Sequence, residues 1–209
     1  MIVVTISRHY GAGGHKLAET LRDRFGFRLV DADSVEQMAR KEKITPNWLA
    51  AMEREAASTP LHLLSKILSK GIFFRRPGLP EEYEERRRYL DFLRRTFTSM
   101  ADEGGYVIVG RGAQFVLQGH PKAVHILLVA DYESRVAFLI EHLGVSRAEA
   151  ESRIRAREKE RAAIASRLFG ANIDDVSLYH LVLNTSRIPY PWAQETACDL
   201  VARFMNRGP

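Results

Sequence analysis

Cysteine, long apolar runs and paired histidines are what this sequence of 209 residues has least of. Its one cysteine, Cys198, excludes an internal disulfide framework and fits a reducing cytoplasm. No apolar run approaches the roughly 18 residues needed to span a bilayer. A chain that opens directly on strand-like residues leaves no room for a signal peptide, so no membrane association is expected. The 7 histidines show no paired metal spacing, and no transition-metal site is expected. Neither a Ser-His-Asp nor a Cys-His constellation is legible. There is no repeat of fixed period and no low-complexity tract. Acid is scarcer than base, 26 Asp and Glu against 31 Lys and Arg, for a net charge of +5. That balance suits an anionic partner. Because the basic residues are interleaved with Glu along helical stretches, it does not favour a nucleic-acid polymer.

What is present begins at the N-terminus. The β-branched run Ile2–Ile6 reads as a buried strand, and Leu17, Ala18, Leu21 and Phe25 recur at helical spacing. Between them lie Arg8, His9, Tyr10, Gly11, Ala12, Gly13, Gly14, His15 and Lys16. A strand, a glycine-rich turn and a helix make a phosphate-binding loop, in which backbone N–H groups converge on an anion at a helix N-terminus. The best-known form reads G-x-x-x-x-G-K-[ST]. Aligned on Gly13, this loop has Arg8 for the first glycine, Gly14 for the lysine and His15 for the hydroxyl residue. Lys16 does not replace the lysine, since two residues along a helix turn a side chain by roughly 200°. Arg8, at the strand–loop junction, is the candidate for the missing charge. His9 and His15 flank the loop and could touch phosphate.

Four more strand-like runs follow, at Phe27–Val30, Tyr106–Val109, Val124–Val129 and Leu181–Leu183, separated by helical patterns. Nearly continuous apolar strands alternating with helices predict an α/β three-layer sandwich with a five-stranded parallel sheet. The second run ends in Asp31-Ala32-Asp33. Asp33 sits where open α/β sheets bind ligands, and it also suits a helix N-cap; the two roles can coexist. Residues 34–103 read as a helical insertion. Thr45-Pro46 and Thr59-Pro60 open helices there, and an aromatic and basic stretch at 73–80 precedes a long helix from about 81 to 102. Its apolar stripe is Tyr89, Phe92, Leu93, Phe97 and Met100, and its arginines read as a solvated face paired with acids.

Gly110-Arg111-Gly112 follows the third run. The fork of Arg111 suits a phosphate or a base edge, or else a neighbouring carboxylate. Asp131 is expected to cap a helix at 132–143, and Ser146 with Glu149 to form a capping box for the next. On that next helix Arg157 and Arg161 interrupt the stripe Ala150, Ile154, Ile164, Leu168. They face either phosphoryl groups or intramolecular acids such as Glu158 and Glu160. Asn184-Thr185 either edges a purine ring or forms a turn. The final helix, from about 191 to 205, is expected to bury Trp192, Ala193, Ala197, Leu200, Val201 and Phe204.

The chain resembles the P-loop nucleoside monophosphate kinases, in their cytidylate kinase-like branch. Val4-Thr5-Ile6-Ser7-Arg8-His9-Tyr10-Gly11-Ala12-Gly13-Gly14 is similar to that branch's opening I-T-I-S-R-x-x-G-[SA]-G-G. Val107–Ala113 is similar to its third-strand signature, and His180–Thr185 to its last strand and exit loop. In ordinary cytidylate kinases the third-strand stretch reads G-R-D and contacts the pyrimidine nucleotide; here its third residue is Gly112. The resemblance implies a P-loop NTPase-type core at 1–33 and 104–209, an arginine-bearing lid at about 145–170, and an acceptor-binding insertion at 34–103. It also implies phosphorylation of a nucleoside monophosphate or a related small molecule by ATP with Mg²⁺. Catalytic roles fall to Arg8, Arg157 and Arg161, and nucleotide binding to Tyr10, Gly11, Ala12, Gly13, Gly14, His15, Lys16 and Asn184. Substrate binding falls to Asp33 and Arg111. Loss of the loop lysine supports a competing expectation, a nucleotide-binding sensor that does not turn over.

Overall fold

A computed structural model describes residues 1–44 and 80–206, with side chains described from Tyr83 onward in the second stretch. The helices expected at Thr45-Pro46 and Thr59-Pro60, and the aromatic and basic stretch before Pro80, lie outside the described residues.

Five strands pair into one all-parallel sheet. They are β1 (Val3–Arg8), β2 (Arg28–Val30), β3 (Tyr106–Val109), β4 (Ala123–Val129) and β5 (Leu181–Asn184), ordered β2-β3-β1-β4-β5. Each strand-like run of the sequence is one of these strands. Central β1 pairs Val4 with Val107 on one side and with Val124 on the other.

Seven helices are described: α1 (Gly14–Phe25), α2 (Ala32–Lys41), α3 (Pro80–Glu103), α4 (Ala113–Val116), α5 (Tyr132–Leu143), α6 (Arg147–Ile164) and α7 (Tyr190–Asn206). Side chains alternate along a strand, and this divides the core into two layers. Val4 and Ile6 pack with Leu17, Leu21, Ala197 and Val201 of α1 and α7. Val3 faces the other way, toward Val35 of α2, Phe92 and Phe97 of α3, and Ile164 of α6. The stripe of α3 buries Tyr89, Phe92, Leu93 and Phe97, while Arg94 pairs with Asp91 at 3.8 Å and Arg95 with Glu42 at 2.8 Å.

Two expectations are corrected. Trp192 is 63% exposed, because the buried stripe of α7 is Ala193, Ala197 and Val201; Trp192 lies about 100° around the helix from that stripe. At the start of α6 only half of a capping box forms. Ser146 Oγ accepts from Glu149 N at 3.2 Å, but the Glu149 carboxylate turns outward to Arg153 at 2.6 Å.

Helices α5 and α6 share a small core of their own, Val136, Leu139, Ala150 and Ile154, with Tyr10 packed against it. Asp131 caps α5 by accepting from Ser134 N at 2.8 Å. The pair thereby stands over the loop that follows β1.

Candidate active site

The loop after β1 is shaped by two left-handed glycines, Gly11 (φ +90°) and Gly13 (φ +86°). Only glycine adopts that region without strain. Left-handed glycines that alternate with ordinary backbone at Ala12 and Gly14 are the pattern of an anion nest, in which the Ala12 N–H closes a turn on the His9 carbonyl at 3.0 Å. Gly13 caps α1 without a side-chain hydrogen bond, which leaves the first N–H groups of the helix open. The loop is held from below and behind. Tyr190 Oη donates to the Gly13 carbonyl at 2.6 Å, and Thr185 Oγ1 to the Ala12 carbonyl at 3.3 Å. A Cβ at Gly11 would lie 2.9 Å from the Arg135 carbonyl oxygen, so α5 packs directly on the loop. Ala12, 2% exposed, serves this packing and is not in the cavity wall.

Above the loop lies a cavity of about 730 Å³. It opens at the C-terminal ends of β1 and β3, beside the point where strand order reverses about β1, as α/β sheets arrange their ligand clefts. Tyr10, Gly11, Gly13 and Gly14 form its floor, with Asp33, Arg111, Arg157 and Arg161 in its walls. Arg8 lines it too. A Cβ on Gly14 would lie 2.7 Å from Arg8 Cγ, and one on Gly110 would meet the Arg8 guanidinium. The Arg8 side chain therefore runs across Gly14 and ends over Gly110. Burial, then the charges of Arg111 and Arg161, bring its pKa down to about 10, against the pull of Glu160. No hydrogen bond or ion pair holds Arg8 among the described residues.

The other arginines are paired. Arg111, a non-glycine residue at φ +52°, has a side chain only 3% exposed. It donates to Glu160 Oε1 at 2.7 Å and to Glu36, and its Nε has no hydrogen-bond partner among the described residues. Glu160 Oε2 in turn accepts from Arg157 at 2.6 Å. Arg161 donates to Asp174 at 2.7 Å and lies 3.5 Å from Ser7 Oγ. Glu158 accepts from Arg135 and from the backbone N–H of Tyr10, both at 2.9 Å. Arg157 and Arg161 thus pair with acids, the intramolecular alternative, and both also line the cavity. The fork of Arg111 is taken up by carboxylates.

Asp33 lines the cavity, but the cap of α2 is Asp31, which accepts from Ser34 N at 2.9 Å. His15 is exposed, 3.8 Å from Glu19. Lys16 and His15 both line the cavity, and Lys16 Nζ lies 3.3 Å from His142 Nε2 and 5.5 Å from the centre of the Tyr190 ring. His9 points behind the loop, to the Ala130 carbonyl at 3.3 Å and Asp174 at 3.6 Å. Asn184 is outside the cavity wall. Its Oδ1 accepts from Ser186 N at 3.0 Å, the turn reading of that segment. Glu36, Asp174 and Arg135 had no signal in the sequence, because their partners are 75, 13 and 23 residues away. Glu160 did have one: it falls on the 3.6-residue stripe of α6 beside Arg161, and it is 8% exposed.

A phosphate loop, a parallel sheet of this order and an arginine-walled cavity define a P-loop α/β sandwich of the nucleotide-kinase type. A family model described as the cytidylate kinase-like family matches residues 3–187, and the chain belongs to that family. It is 27% identical over 208 residues to a cytidylate kinase of Methanopyrus kandleri, covering 96% of this chain and 91% of that one. A cytidylate kinase of Pyrococcus horikoshii is 25% identical over 200 residues, with 96% and 86% covered. Among solved structures, an uncharacterized protein from Eubacterium ventriosum aligns with a TM-score of 0.67 at 16% identity, covering 97% of this chain and 99% of that one. An unliganded sugar kinase from Janibacter aligns at 0.53 and 18%, with 97% and 95% covered. At those identities the structural likeness speaks for the fold. No helix among the described residues is long and apolar enough to cross a membrane.

Proposed function

We propose that the chain transfers a phosphoryl group from ATP to a nucleoside monophosphate or a related small molecule. The observation that carries this reading is the single cavity shared by the glycine loop and by Arg8, Arg157 and Arg161. In phosphoryl transfer the bond from the terminal phosphorus to the bridging oxygen breaks and one to an acceptor oxygen forms. Charge spreads over the equatorial oxygens, so catalysis is mostly positioning and charge stabilisation. Here the loop N–H groups and the N-terminus of α1 bind the donor phosphates, and Arg8, Arg157 and Arg161 neutralise the group in flight. Asp33, in the first turn of α2, faces the acceptor side. Arg111 acts through Glu160. The relatives named as cytidylate kinases support a nucleotide acceptor.

The chain divides, in this reading, into a core at 1–33 and 104–209 with a lid at about 145–170, and an acceptor-binding insertion at 34–103. Closure of the lid excludes water and limits wasteful hydrolysis. Among the described residues no three His, Cys, Asp or Glu side chains converge as a metal cage. His15 offers nitrogen where Mg²⁺ takes oxygen. A Mg²⁺ carried in on the triphosphate would keep most of its waters and would need one carboxylate of the cavity wall, where Asp31 and Asp33 stand; it would supply charge neutralisation of the donor phosphates.

The test is a thermal-shift screen with ATP, GTP and each nucleoside monophosphate, with and without Mg²⁺, followed by an assay of ADP formation for every stabilising pair. Ligands that bind the folded state raise the melting temperature by mass action. Turnover with one acceptor is the expected result. Stabilisation by ATP without turnover for any acceptor returns the reading to a sensor, and no shift with any nucleotide removes both.

A further inference from the structure

We infer that Arg8 takes the place of the lysine missing from the phosphate loop, and that Gly14 is the clearance that admits it. This rests on the phosphotransferase reading and deepens it by naming the cation that grips the donor phosphates. Three observations converge. The first is steric. A Cβ at position 14 would lie 2.7 Å from Arg8 Cγ and 3.0 Å from Arg8 Cβ. Those atoms sit next to the β1 backbone and cannot swing aside as the end of a long side chain does. Any side chain at position 14, lysine included, therefore excludes Arg8 from its seat. The exchange at the lysine position and the arginine at the strand end are one change.

The second observation is placement. From its seat across Gly14 the guanidinium reaches Gly110, whose φ of +82° and missing side chain leave room for it. It arrives in the wall of the cavity that the loop N–H groups floor. The third is charge. Arg111, Arg157 and Arg161 each meet a carboxylate, whereas Arg8 meets none among the described residues. A half-buried cation beside Arg111, Arg157 and Arg161, with only Glu160 opposing them, is destabilised until an anion arrives. The planar fork of an arginine binds phosphate oxygens in pairs, which a lysine ammonium cannot do.

The experiment uses the full chain in four forms: wild type, Arg8→Ala, Gly14→Lys, and the double variant Arg8→Ala with Gly14→Lys. Each is titrated calorimetrically with ATP and with inorganic triphosphate, and its melting temperature is recorded without ligand. Arg8→Ala is expected to melt at or above the wild-type temperature and to bind both probes at least tenfold more weakly. Gly14→Lys alone is expected to lose binding as severely, because it displaces Arg8. The double variant is expected to recover at least fivefold over the weaker single variant for both probes. Additive losses in the double variant overturn the inference, as does wild-type affinity in Arg8→Ala. A fall in the unliganded melting temperature of Arg8→Ala makes Arg8 a structural residue and overturns it too. A wild-type chain that binds neither probe overturns the phosphotransferase reading with it, so the two failures are distinguishable.

Discussion

The carboxylate of Glu158 accepts a hydrogen bond from the backbone N–H of Tyr10 at 2.9 Å, joining α6 to the phosphate loop across 148 residues of chain. Arg135 donates to the same oxygen at 2.9 Å, and Arg161 lies 3.8 Å from the other. An anion of the protein thus sits on a donor of the loop and beside two arginines, Arg135 of α5 and Arg161 of α6. Glu158→Gln keeps the shape and removes the charge. It is expected to tighten ATP binding about three- to tenfold, because the triphosphate no longer displaces a charge-assisted contact. It is also expected to cost the unliganded fold roughly 1 kcal/mol. Calorimetric titration and denaturant unfolding measure the two effects, and unchanged affinity shows that Glu158 does not compete with the ligand.

Arg111 holds Glu36 and Glu160 together from a buried position. Arg111→Ala leaves two carboxylates without their shared cation. Breaking a buried pair in this way costs about 3–5 kcal/mol, and the relieved left-handed backbone returns little of it. Adding Glu160→Gln is expected to recover part of the loss by removing a buried charge that is left with Arg157 alone. Urea midpoints of the single and double variants check this, and a double variant less stable than Arg111→Ala contradicts it.

Placing at position 112 the aspartate of the G-R-D stretch of ordinary cytidylate kinases is expected to harm this chain. Gly112 has φ +71°, and a Cβ there would collide with the Phe169 ring. That ring is itself stacked on Phe115 with centroids 4.8 Å apart. Backbone strain of about 1 kcal/mol and overpacking of about 1–3 kcal/mol add to a loss of roughly 2–4 kcal/mol. A melting curve of Gly112→Asp within a degree of the wild type contradicts this.

Acid is expected to weaken the fold through His125. The ring is 3% exposed, its Nδ1 is 2.8 Å from Thr5 Oγ1, and burial, with the neighbouring His180 next in effect, lowers its pKa from 6.5 to about 4. Above pH 6.5 both folded and unfolded chains carry the neutral ring, and this residue costs nothing. As pH falls from 6.5 to about 4 the unfolded chain takes up the proton and the folded chain does not, so stability drops by on the order of 3 kcal/mol. The loss is complete below about pH 4. Unfolding free energies of wild type and His125→Gln at pH 7.5, 5.5 and 4.5 check this. The gap between them should narrow toward acid.

The elements were legible in the sequence because their causes are local. Val3 to Ile6 is β-branched and apolar, Gly11 and Gly13 permit left-handed backbone, and Tyr89 to Phe97 repeat at helical spacing. The loop could be read the same way, down to the missing lysine at Gly14. Trp192 was misread because hydrophobicity alone does not fix where a stripe is centred. Asn184 was misplaced because a polar residue at a strand end serves a turn or a ligand equally well. The partners of Arg111 were out of reach, since Glu36 and Glu160 stand on different helices, 75 and 49 residues away.

The sequence by itself determined the sheet, the cradle and a surplus of arginine, because strand formation, left-handed glycine and charge count are properties of neighbouring residues or of composition. Only the tertiary structure decided which of the four arginines lining the cavity meets no acid among the described residues. The folded chain brings carboxylates of α2, α6 and the segment after it to Arg111, Arg157 and Arg161, and runs Arg8 over Gly14 to Gly110 with none. Charge pairing acts through space over a few ångströms, and proximity on that scale between residues so far apart in the chain is set by the packing of helices on the sheet.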